Sequence, residues 1–139
     1  MAKILAVLLL LFPIACGTPA PPSTPGGPPP PNLPQMDGTW AGSMVFTNVT
    51  GSLTFNLAED AYGNLTGDAV STPPHCEFTL AVSGKVYTNG QFFLQTSDNT
   101  TASFAGTLSS GNKTVSGNVG LGNGTGCGPR NGTFAAQGG

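Results

Sequence analysis

Three cysteines and a single histidine carry most of the reactive chemistry this chain offers: Cys16, Cys76, Cys127 and His75. His75 and Cys76 are adjacent, in Pro73-Pro74-His75-Cys76. Such a pair becomes a nucleophile only when the thiol is free and a further group orients the imidazole. Zinc needs a fuller ligand set than these residues supply once Cys76 and Cys127 are paired. The spacing therefore points to a structural use of both cysteines, with no catalytic residue, metal ligand or cofactor expected. The carboxylates are Asp37, Glu59, Asp60, Asp68, Glu77 and Asp98. Asp68 and Glu77 can approach each other if the turn between them is tight, but a glycosidase-like pair also needs a cleft. The glycine-rich run at 120–128 has no Lys-Ser/Thr after it, so it is not a phosphate loop. Arg130 can hold an anion or pair with Glu77, and the second is the expectation.

Only 7% of the 139 residues are charged and the net charge is −2. No basic run exists, which removes the electrostatic footprint of a nucleic-acid binder. Gly, Ser, Thr and Asn take the place of the charges. That composition suits short strands and tight turns with hydroxyl and amide side chains on the wet face. Asn-x-Ser/Thr triplets at Asn48, Asn64, Asn99, Asn112, Asn123 and Asn131 follow from the same Asn- and Thr-rich turns.

The elements that must position these residues fall into three parts. Residues 1–15 open with Lys3 and continue as an apolar run from Ile4 to Ile14, the layout of a secretory signal peptide. The run is too short to span a bilayer, which needs about 20 apolar residues. Residues 16–36 hold Cys16 and a proline-rich linker with no periodic apolar pattern. Proline fixes φ and removes amide donors, so the linker is expected as a polyproline II spacer reaching roughly 50 Å, with a soft joint at Gly26-Gly27.

Residues 37–139 change to a period of two, with turn signals at short intervals. Strands are predicted near 38–47, 51–58, 64–71, 77–88, 90–97, 101–109, 113–121 and 131–137. Asn89-Gly90 reads as a two-residue hairpin, and Gly84 as a bulge or bend. Trp40, Phe46, Phe55, Phe78, Phe92 and Phe104 fall on one face and Ser, Thr, Asn and Gln on the other. Short connections favour sequential antiparallel neighbours. The expectation is an all-β domain, an eight-stranded up-and-down barrel, with a β-sandwich as the alternative. A membrane-spanning barrel would need an apolar outer face. In an up-and-down barrel, alternate turns share one end. Cys76 in the third turn and Cys127 in the seventh then lie at the same end, and a Cys76–Cys127 disulfide would lid that mouth in an exported compartment.

Ala15-Cys16 behind the apolar run resembles a bacterial lipoprotein signal. That resemblance implies lipidation of Cys16, which becomes the mature N-terminus and anchors the chain to the membrane, and Gly17 in place of Asp implies the outer membrane. The stretches GTW at 38–40, GSLTF at 51–55 and GNLTGD at 63–68 look like the opening strands of avidin-like barrels, and the Gly-x-Trp start is also similar to lipocalins. Biotin binding does not carry over. Gly42 and Phe46 stand where avidins place a ligand-binding Asn and Ser, and Trp40 is the sole tryptophan. The chain as a whole looks most like small β-barrel lipoproteins of bacteria. The function expected is a plugged barrel with a structural or protein-interaction role in the cell envelope, the alternative being carriage of a small apolar ligand.

Overall fold

The computed structural model describes residues 27–138. The signal segment, Cys16 and the first part of the linker lie outside the described residues. Eight strands follow one another: β1 Gly38–Phe46, β2 Val49–Glu59, β3 Asn64–Ser71, β4 Phe78–Val86, β5 Gln91–Gln95, β6 Ala102–Leu108, β7 Thr114–Leu121 and β8 Arg130–Gly138. Each pairs antiparallel with the next, and β8 returns to β1 from Trp40↔Gly138 to Val45↔Thr133. That last ladder closes the barrel and rules out the sandwich. A single turn of 3-10 helix, Asn123–Thr125, sits in the β7–β8 connection.

Alternation sets the interior. Along β2, Leu53, Phe55 and Leu57 are buried, while Asn56 and Ala58, on the opposite parity, are exposed. One register slip would turn this whole set outward, so the pairing is tightly specified. The rings of Phe55, Phe104 and Phe134 meet edge to face, with centroids 5.0 to 5.9 Å apart. Phe92 joins them at 6.1 Å from Phe134. Edge-to-face contacts of this kind add about 1 kcal/mol each beyond area burial.

So many large rings fit one small barrel because glycines stand at inward positions opposite them. Gly106 pairs with Gly117, and Gly117 with Phe134. A Cβ on Gly106 would lie 3.2 Å from the tip of the Phe134 ring and closer still to the Ser116 carbonyl. The missing side chains are the space the ring occupies, and they let the strands bend sharply around it. At Gly84 a Cβ would likewise overlap the Phe93 carbonyl, and the ladder runs without a skipped residue, Leu65↔Gly84 and Gly84↔Leu94, so no bulge forms there.

Two other expectations change. The β4–β5 connection is a three-residue loop, Thr88 to Gly90, because Tyr87 N–H donates to the Gln91 carbonyl at 2.9 Å. Gly90 ends it at φ 81°, the geometry of a hairpin with a bulge after the turn. The boundary at 37 also moves. Met36 is completely buried in the core, and Leu33 packs over Gly63. Residues 32–36 thus form a strap across one end of the barrel, while prolines 28–31 stay exposed.

Candidate functional site

The two ends of the barrel gather the residues with chemical potential. At the mouth, the β3–β4 and β7–β8 connections cross toward each other and join through the Cys76–Cys127 disulfide, with Cα atoms 4.7 Å apart and a sequence separation of 51. Cys127 is buried and Cys76 packs against the core. Thr125, also buried, donates its hydroxyl to the Gly122 carbonyl at 3.0 Å and accepts the Cys127 amide at 3.4 Å. Gly51 on β2 faces the His75 carbonyl and the Cys76 Cβ, so the lid rests on the β2 rim. Turn parity predicts both cysteines at this end, and the loops fold inward as the bond requires.

The lid also decides the fate of the neighbouring residues. His75 is exposed, and the Cys76 sulfur beside it is already bonded. Nothing there can act as a Cys–His nucleophile. Glu77 stands four residues before Ala81, the ladder partner of Asp68. At strand rise that separation is about 13 Å, so the two carboxylates do not form a pair at the mouth. Arg130 places its guanidinium carbon 5.8 Å from the centre of the Phe46 ring, and its neighbour is this aromatic face in place of the expected Glu77. Among the described residues no group of three His, Cys, Asp or Glu side chains lies close enough to hold a metal ion.

Carboxylates elsewhere are used locally. Asp98 accepts the amides of Thr100 and Thr101 at 3.1 and 3.0 Å, the Thr96 hydroxyl at 2.6 Å and the Thr101 hydroxyl. These donors, the hydroxyls first, hold its carboxyl far below the usual carboxylate range. Asp60 accepts the Asn64 side chain at 2.7 Å and the amides of Asn64 and Tyr62, and is likewise held low. Both build turns. All six sequon asparagines are exposed.

The opposite end, the base, is closed without a covalent bond. Met36 inserts from the strap. Its carbonyl accepts the Trp40 indole N–H at 2.9 Å and its amide donates to Glu59 Oε2 at 2.6 Å. Burial raises the Glu59 pKa, with Asp37 and Asp60 adding to the rise against the Met36 hydrogen bond. An open cleft of about 340 Å³ runs between the strap and this turn, lined by Pro30, Leu33, Gln35, Asp37, Glu59, Asp60 and Ala61. A second groove of about 410 Å³ crosses the outer wall over β8, between Ala41 and Ser116. Both are surface features.

One feature of the outer wall escaped the alternation argument. Tyr87 and Phe93 are exposed by 44% and 36%, and their rings stack at 6.4 Å with 30° between planes. The signal was present: Phe92 and Phe93 are consecutive, so a strand must turn one of them outward. Of the positions compared with the avidin site, a side chain at 42 would overlap the Ala135 carbonyl, and Phe46 is buried. No protein-family model and no curated protein matches this chain.

Proposed function

We propose that this chain is a membrane-anchored bacterial lipoprotein that displays a small plugged β-barrel in a structural or protein-interaction role, without catalysis. The observation that carries this reading is the occupied interior: interlocked Phe55, Phe92, Phe104 and Phe134 between a disulfide-bridged mouth and a Met36-filled base. A body closed at both ends offers its surface to a partner. Cys16 supplies the anchor in this reading, and several acyl chains on one residue suffice for stable attachment where one chain is marginal. The cell envelope, at the outer membrane, is the proposed location. Mass spectrometry of the protein extracted from membranes tests it: the expected N-terminal residue is a diacylated or triacylated Cys16, and an unmodified Cys16 or a cut elsewhere overturns the reading.

A second reading, carriage of a small apolar ligand inside the barrel, is favoured by one observation. The Ser71 hydroxyl is buried on the inward face of β3 with no protein hydrogen-bond partner. A ligand with one polar group would satisfy it. Native mass spectrometry of the purified protein distinguishes the two readings, since a carrier retains a stoichiometric adduct.

A further inference from the structure

Among the described residues the exposed aromatic side chains are Tyr87 and Phe93, and half-buried Tyr62 lies beside them where the proline-rich segment arrives. Tyr62, in the β2–β3 turn, donates its hydroxyl to the Gly27 carbonyl at 3.4 Å. The β3–β4 ladder extends past Asn64↔Lys85 through the Val86 amide to the Gly63 carbonyl at 2.8 Å. This brings the Tyr62 turn beside Tyr87. Lys85 then pairs with Phe93, so Tyr62 in the turn before β3, Tyr87 just past the end of β4 and Phe93 on β5 follow one another across the wall. Strands lie about 4.8 Å apart, which makes the strip roughly 10 Å wide.

We propose that this strip is a polyproline dock, and that its occupant is residues 17–26 of the same chain, GTPAPPSTPG. Aromatic-lined surfaces take up polyproline II segments because the segment is already extended, so little entropy is lost, and because its free carbonyls accept hydroxyl donors. Both halves of that recognition are present. Tyr62 already makes the hydroxyl-to-carbonyl contact at Gly27, the first described residue. Tyr87 and Phe93 supply stacked, solvent-facing rings next along the strip. Pro19, Pro21, Pro22 and Pro25 supply the rings to lie on them, and the segment carries no charge to oppose docking. Ten residues at about 3.1 Å each reach roughly 30 Å, three times the width of the strip. Docked, the segment lies along the wall and no longer extends the tether. This inference stands whether or not Cys16 is lipidated.

The test compares the ¹⁵N-labelled full chain with its fourfold variant Pro19→Ser, Pro21→Ser, Pro22→Ser and Pro25→Ser by amide chemical shifts. The expected result is a shift at Tyr62, Tyr87 and Phe93 with Phe55 and Phe104 unmoved, no dependence of the wild-type shifts on tenfold dilution, and return of the variant toward wild type when a synthetic peptide of residues 17–26 is added in excess. Coincident spectra overturn the proposal. Shifts that fade on dilution overturn it in favour of a second copy's segment. A strip that responds only to phosphatidylcholine vesicles overturns it in favour of a lipid surface.

Discussion

The mouth and the base of this barrel face the same physical problem and solve it differently. Each end of a closed sheet leaves apolar side chains near solvent. At the mouth, two connections four strands apart are drawn together by Cys76–Cys127. At the base, a strap lowers Met36 into the core and fixes it with two hydrogen bonds, to Trp40 and Glu59. A covalent bridge acts mainly by limiting the unfolded chain. An inserted side chain acts by removing apolar area from water. The first closure responds to redox conditions and the second to packing and pH.

Substitutions separate the two closures. The largest effect is expected from Cys76→Ser with Cys127→Ser. A loop of this length contributes about 4 kcal/mol in the chain-entropy model, read as a lower denaturant midpoint. Hydrogen exchange should accelerate first in 72–77 and 122–129, with the base amides retained. Met36→Ala is expected to cost about 3 kcal/mol, the range for emptying a fully buried large site, and to deprotect residues 32–36 while the mouth stays closed. If either variant loosens both ends equally, the two closures are one cooperative unit and not two independent ones. Trp40→Phe removes the indole donor to the Met36 carbonyl and is expected to cost about 1–2 kcal/mol by the same denaturation assay.

The smallest effect is a pH dependence of opposite sign at Glu59 and at Asp98. Glu59 at the base has a pKa above its ordinary 4.5, chiefly through burial. The folded state therefore binds its proton more tightly than the unfolded state, and stability rises as pH falls through the folded pKa, the gain being complete below 4.5. Glu59→Gln should be more stable than the wild type near pH 7, the difference vanishing below the ordinary Glu value. Asp98, in the β5–β6 connection at the mouth, has a pKa below its ordinary 3.8. Its contribution is present above 3.8 and is lost as pH falls further. Unfolding midpoints measured from pH 7 to pH 2 for the wild type, Glu59→Gln and Asp98→Asn show whether the slopes carry these signs.

Much of the barrel was legible because period-two alternation and turn residues act locally. Each strand declares its own inward face, and turn parity alone put Cys76 and Cys127 at one end. What escaped depended on neighbours distant in sequence. Leu33 and Met36 sit in a proline-rich stretch whose composition reads as spacer, and only the open base of the barrel gives them something to cover. Gly106 and Gly117 look like weak points in their strands until Phe134 is seen lying against them from β8. Asp68 and Glu77 are near in sequence, yet the straight rise of β4 keeps them apart. Arg130 faces Phe46 because β8 closes onto β1, a pairing across the whole domain.

Interlocked rings fill the barrel, and Cys76–Cys127 and Met36 seal its two ends. Titrating the disulfide-intact protein with a hydrophobic fluorophore such as anilinonaphthalene sulfonate tests that seal most directly. The expected result is no saturable binding to the native protein, with fluorescence appearing only once the fold is lost. A stoichiometric, saturable site on the intact barrel would contradict it.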